Sequence, residues 1–197
     1  MTRNFASKAL LGMVAGVALV ATGTGTAAAA TSSLSLTYTC SFPLIGNQTV
    51  PVTISADVPD SVQVNTPTSA FPVTATVTVP ANATSGLNLV GAKTVSGTAS
   101  ASSTVVDGST NVPATVPLTI PTTNVPASGT FPVTASGNAP SVTLTQTGTA
   151  SITVGDFSTT LTPRNASGGT TSLGTFTSNC TLNSGQANTL ATFQVTQ

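Results

Sequence analysis

Leu34, Leu36, Tyr38, Cys40 and Phe42 alternate with Ser35, Thr37, Thr39 and Ser41. Successive side chains of an extended chain point to opposite faces, so this spacing predicts a half-buried β-strand. The same period recurs along the chain. Val50, Val52, Ile54 and Ala56 alternate, Val62 and Val64 make a short extension, and Phe71 to Val79 gives a long strand. Leu87 and Leu89 open another that runs past Gly91 to Val95, and the small, polar stretch Gly97–Ser103 suits a bend or bulge. Asp107-Gly108 reads as a tight turn. Beyond it Val116–Ile120, Phe131–Ala135, a long stretch from Val142 to Val154 ending at Gly155-Asp156, a strand ending with Leu161 at Pro163, Phe176–Leu182 and Leu190–Val195 continue the pattern. Prolines are expected between strands, because they lack the ladder N–H. No amphipathic helix longer than a turn is expected.

Two phrases repeat in order. Phe71-Pro-Val-Thr-Ala returns at Phe131–Ala135, and Gly97-Thr-Ala-Ser returns at Gly148–Ser151. With a pause at Gly108–Pro113, they predict two related β-units, residues 31–110 and 111–197, either separate or one compact domain tied by Cys40 and Cys180. The expected fold is all-β: an immunoglobulin-like antiparallel β-sandwich closed by one long-range disulfide. The first strand is expected to complete a sheet built mainly by the C-terminal half.

The first thirty residues read differently. Arg3 and Lys8 precede an uncharged apolar run, Ala9–Ala21, and Ala28-Ala29-Ala30 offers small residues for cleavage after Ala30. This is the pattern of a secretory signal peptide. The run is shorter than a stable membrane span, and no other run of membrane length follows. The mature chain is expected to be released to the extracellular space or held there by non-covalent contacts. Export favours pairing of Cys40 with Cys180 across 140 positions.

Charge is sparse. Past residue 30 only Lys93 and Arg164 are basic, and only Asp57, Asp60, Asp107 and Asp156 are acidic. So few charges, scattered along the sequence, give no expectation of a nucleic-acid footprint or of an electrostatic hold on an anionic membrane. The chain has no His, Glu or Trp. A Ser-His-Asp or Cys-His arrangement is therefore impossible, and no enzyme, catalytic residue, cofactor or metal site is expected. Asp57 and Asp60 are either a polar turn or a weak calcium site, which would need more carboxylates than these. Asp107-Gly108 and Gly155-Asp156 read as turns. Thr143, Thr145, Thr147 and Thr149, and Thr74, Thr76 and Thr78, form hydroxyl rows: the solvent face of a sheet, or a flat platform for polysaccharide or ice. Tyr38, the chain's single tyrosine, falls on an apolar face, with its hydroxyl expected near the rim of the core. Four Asn-X-Ser/Thr triplets, at Asn47, Asn82, Asn165 and Asn179, fit the glycosylation acceptor pattern, which a bacterial origin would make incidental.

The signal segment, Leu36–Gly46 (LTYTCSFPLIG), Ile54–Val62 (ISADVPDSV) and the late Cys180–Gln186 (CTLNSGQ) together resemble a family of secreted actinobacterial, Streptomyces-like proteins, a domain of unknown function with β-sandwich character. The resemblance implies no enzymatic activity and no catalytic residues. A looser similarity is to the apoproteins of actinobacterial enediyne antibiotics, which are secreted sandwiches built around two local disulfides. The expected role is a secreted, non-enzymatic structural or interaction protein at the cell surface, with cell-wall polysaccharide or another extracellular protein as partner. The alternative is an extracellular carbohydrate- or small-ligand-binding module, recognisable by an apolar pocket with convergent polar groups.

Overall fold

A computed structural model describes residues 29–197. Ten strands and one helix follow in order: β1 (Ala29–Phe42), β2 (Gly46–Pro59), β3 (Ser61–Gln63), β4 (Phe71–Val79), α1 (Ala81–Leu89), β5 (Thr94–Asp107), β6 (Thr110–Asn124), β7 (Phe131–Ala139), β8 (Gly148–Arg164), β9 (Phe176–Leu182) and β10 (Thr189–Thr196). They form one sheet in the order β3-β10-β8-β5-β6-β7-β4-β2-β1-β9, and β9 also pairs with β8. That last pairing joins Phe157–Leu161 to Phe176–Cys180 and closes eight antiparallel strands into a barrel. The immunoglobulin-like sandwich is thereby corrected. Alternation is the same in a sandwich and a barrel, because both bury one face of every strand. Closure depends on a pairing that the period does not encode.

The expected division at 110/111 falls at the first residues of β6, and strands from both sides build the one barrel. The repeated Phe-Pro-Val-Thr-Ala phrases lie on β4 and β7, which pair antiparallel with Ala75 opposite Ala135. The two Gly-Thr-Ala-Ser phrases occupy unrelated registers: Gly97 faces Leu161, whereas Ala150 faces Asp107. β1 pairs along its whole length with β2, and through Tyr38, Thr39 and Cys40 with β9.

β8 changes partner halfway. Residues before Gly155 pair with β10 and those after it with β9, and at this point β8 bulges against β5, Gly155 and Asp156 standing opposite the single Ser102. Gly155-Asp156 is thus the interior of a 17-residue strand and not a turn. Gly97–Ser103, expected to bend or bulge, runs as regular strand, and the extra residues at the register shifts near its two ends belong to the partner strands β6 and β8. The Asp107-Gly108 turn is present, with Gly108 at φ 59°.

Several prolines lie inside strands, contrary to expectation: Pro51, Pro72, Pro113, Pro117, Pro121, Pro132 and Pro163. In β6 the three share one parity and are all exposed. Groups of one parity point to one neighbouring strand. A Cβ added at Gly137 of β7 would lie 2.1 Å from the Pro117 carbonyl oxygen, so the proline positions turn toward β7. β6 pairs with β7 at only Leu118 and Thr119, so few N–H groups are missed there.

The helix was not expected. Its sequence, ANATSGLNL, lacks a clean apolar stripe, and five of its nine residues (Asn, Thr, Ser, Gly, Asn) are weak helix formers. Tertiary packing and local bonds hold it instead: Ala83 and Thr84 are buried, and Ser85 and Asn88 donate to the carbonyls of Ala81 and Thr84. Leu87 and Leu89, read as strand, are its last turn. Residues 140–147 are also largely loop, so Thr143, Thr145 and Thr147 are not a strand face.

Candidate functional site: the barrel lumen

The inward side chains are those of the apolar period: Leu36, Tyr38 and Cys40 from β1, Val50 to Val58 from β2, and Val116, Leu118 and Ile120 from β6. An eight-stranded barrel is just wide enough to be filled by such side chains or to hold one small ligand. Here alanines leave room. Ala75 of β4, Ala99 and Ala101 of β5, and Ala135 and Ala139 of β7 line a cavity of about 90 Å³. A second cavity of about 90 Å³ lies toward the α1 end. Val77, Ile120, Val133, Phe157 and Thr159 form the wall of both, so the two follow one another along the barrel axis. A pocket of about 30 Å³ continues past Phe71, Val116 and Ile152 toward Phe193.

The lining is nearly all hydrocarbon, and two of its hydroxyls turn away to backbone. Ser103 donates to the Thr153 carbonyl at 2.9 Å, and Tyr38 to the Gly155 carbonyl at 3.2 Å. Tyr38 is wholly buried and stacks edge-on against Phe157, with centroids 4.8 Å apart. Burial, and secondarily the negative charge of Asp156, push its phenol up to about 12.

The two ends differ. At one end Leu144 is fully buried, and the Asp107 carboxylate accepts the N–H groups of Thr145 (2.9 Å) and Gln146 (3.1 Å), pinning the loop that covers the lumen. At the other end lies α1, which links β4 to β5 although β7 and β6 separate them in the sheet. Ala83, Gly86 and Leu87 face the cavity. Gly86 approaches Ile45 of the β1–β2 turn, and Asn88 donates to the Pro126 carbonyl at 2.8 Å. The helix thus lies across the mouth, tied to loops on two sides.

Cys40 and Cys180 are directly opposite on β1 and β9 and form the expected disulfide, with Cα atoms 4.0 Å apart. Both line the mouth cavity. The segment 1–28 of the expected signal peptide lies outside the described residues, and Ala29 and Ala30 pair with Pro59 and Val58 at the start of β1. Asp57 accepts the Thr31 hydroxyl at 2.6 Å, and the Asp60 carbonyl accepts the Gln194 N–H at 3.0 Å. Among the described residues no three His, Cys, Asp or Glu side chains gather as metal ligands.

The outer face gathers hydroxyls. Thr76 of the predicted row lies opposite Thr53 and Thr134, and Thr74 opposite Ser55 and Ser136, so the row extends across β2, β4 and β7 as a grid. Thr76 and Thr134 share a hydrogen bond at 3.3 Å. The sequence reading missed the lumen and the helix that caps it. The one available signal was the concentration of alanine at inward positions, which reads equally as ordinary core.

Fold and lumen define a closed, eight-stranded antiparallel β-barrel with an apolar interior. The chain belongs to a family of unknown function (DUF6801), whose model matches residues 37–191. The match covers seven of the eight barrel strands in full and β1 from Thr37 onward. No curated protein and no solved structure matches the chain.

Proposed function

We propose that this chain is an exported, non-catalytic carrier that holds a slender apolar molecule, on the scale of a single acyl chain, along the barrel axis. The observation that carries the reading is the succession of two hydrocarbon-lined cavities sharing one wall, beneath a helix laid across the mouth. An apolar cavity without polar partners stays dry and takes apolar guests. Its lining is nearly all hydrocarbon, with the Ser103 and Tyr38 hydroxyls bonded to backbone, which favours hydrocarbon over sugar. The outward faces of β1, β2, β4 and β7 carry Ser and Thr, whereas a barrel spanning a bilayer would carry its apolar band outside. These faces support a barrel bathed in water. The leader pattern of residues 1–30 and the disulfide support export. A chain without His or Glu supports a non-catalytic role.

Titration with lauric acid tests the reading. The chain has one tyrosine and no tryptophan, so Tyr38 emission reports the lumen. The expected result is a saturable change in emission that Ala135→Leu, by filling the cavity, weakens at least about tenfold. Absence of any saturable change in the folded protein would overturn it.

The hydroxyl grid of β2, β4 and β7 favours a second reading, attachment to cell-wall polysaccharide. Sedimentation with isolated cell walls separates the two. A carrier stays in the supernatant at moderate salt. A wall-binding protein pellets, and Thr76→Val with Thr134→Val releases it.

A further inference from the structure

The mouth end of the barrel gathers features that are scattered along the chain. Among the described residues only Leu44 and Leu89 are large, exposed hydrophobic side chains, at 50% and 84% exposure. Leu44 sits in the β1–β2 turn and lines the mouth cavity. Leu89 ends α1, the helix across that mouth. The only cations of the described residues, Lys93 and Arg164, are at the same end, where the Lys93 N–H donates to the Arg164 carbonyl at 2.7 Å. Both side chains are exposed. The carboxylates lie elsewhere. Asp57, Asp60 and Asp107 are at the opposite end of their strands, and Asp156 is midway along β8, bonded to the Leu182 N–H. The barrel is therefore polarised along its axis: cations and exposed leucines surround the opening and anions stand away from it, so charges scattered in the sequence are sorted by the fold, contrary to the expectation that they offer an anionic membrane no hold.

We propose that the mouth end docks on an anionic lipid surface. Leu44 and Leu89 insert among the acyl chains while Lys93 and Arg164 meet headgroup phosphates. In this orientation the lumen opens onto the hydrocarbon layer, so an acyl chain passes between bilayer and barrel without crossing water. That purpose rests on the lumen being a ligand site. The docking surface itself is defined by exposure and charge placement. With two cations and two leucines, attachment is weak and reversible, as exchange of cargo requires.

The test is co-sedimentation of the mature protein with vesicles of phosphatidylcholine containing one-third phosphatidylglycerol, and with phosphatidylcholine alone. Binding is expected to the anionic vesicles, to fall as salt rises, and to be several-fold weaker to the neutral ones. Lys93→Gln should lower partitioning about five-fold, and Leu89→Ser about ten-fold. Both residues are exposed, so neither change disturbs folding. No partitioning to anionic vesicles would overturn docking. So would a concentration-dependent dimer abolished by Leu89→Ser without vesicle binding, which would show that a second copy covers the patch. Lauric acid binding followed through Tyr38 is measured alongside. Retained lauric acid binding without vesicle binding removes only the docking proposal, and vesicle binding without lauric acid binding removes only the carrier reading.

Discussion

The side-chain amide of Gln186 stands in for a strand residue opposite Thr37. Its Oε1 accepts the Thr37 N–H at 2.8 Å, and its Nε2 donates to the Thr37 carbonyl at 2.7 Å. β9 ends at Leu182, opposite Tyr38. The next residue, Asn183, donates its N–H to the Thr37 carbonyl at 3.1 Å, and the amide completes that rung by accepting the Thr37 N–H. The same Nε2 donates to the Asn183 carbonyl at 3.0 Å, folding the turn onto itself.

Gln186→Ala leaves the part-buried Thr37 N–H to find water, while the Thr37 carbonyl keeps the Asn183 N–H at 3.1 Å. The expected loss is about 1–3 kcal/mol, or roughly 3–10 °C in melting temperature for a chain of this size. Thermal unfolding followed by circular dichroism checks it. An unchanged melting temperature would mean that the seam is held without the amide.

The disulfide acts on the same seam. It closes a loop of 140 residues, for which the chain-entropy account gives up to about 5 kcal/mol. Cys40→Ser, Cys180→Ser and reduction of the native protein should each lower the melting temperature by about 10 °C or more. The double mutant should add little to either single change, because one bond is lost in every case. A clearly additive double mutant would contradict this account.

Tyr38 makes stability sensitive to high pH. Below pH 10 the phenol is neutral in both folded and unfolded chains, and the full stabilisation is present. Between pH 10 and about 12 the unfolded chain releases the proton while burial retains it in the folded one, so stability falls across that window. A displacement of two pH units corresponds to about 3 kcal/mol. Absorbance titration at the phenolate band should give a single transition near 12, with unfolding. Tyr38→Phe should flatten the stability profile above pH 10, and a wild-type transition near 10 without unfolding would refute the prediction.

Two glycines should respond to alanine with opposite signs. A Cβ at Gly97 would lie 1.9 Å from the Thr160 carbonyl oxygen, so β5 and β8 would have to separate. Gly97→Ala should cost about 1–3 kcal/mol or more. At Gly86, inside α1, the added carbon would make ordinary contact with Ile45 at 3.6 Å. Gly86→Ala should therefore stabilise by about 0.5–1 kcal/mol, because alanine loses less backbone entropy in a helix. Urea unfolding of the two variants side by side measures both.

Strand positions and the inward face were legible from period two, because each strand buries one side whatever it packs against. Tyr38 on its apolar face and the Asp107-Gly108 turn needed nothing beyond local chemistry. The Cys40–Cys180 bond needed only the count of cysteines and the leader pattern. Long-range contacts settled the rest. Barrel rather than sandwich turned on β9 reaching both β1 and β8, a pairing of residues 140 and 23 positions apart at Cys40–Cys180 and Phe157–Cys180. The helix formed from a short sequence of mixed helical preference because the mouth offered Ala83 and Thr84 a place to bury. Alanines that read as core became the wall of a lumen only once the curvature of the closed sheet set how far apart they stand. Lys93 and Arg164, 71 positions apart and featureless as isolated charges, came together because both stand where strands meet the mouth. Local alternation dictates which way a side chain faces, and closure of the sheet dictates what it faces.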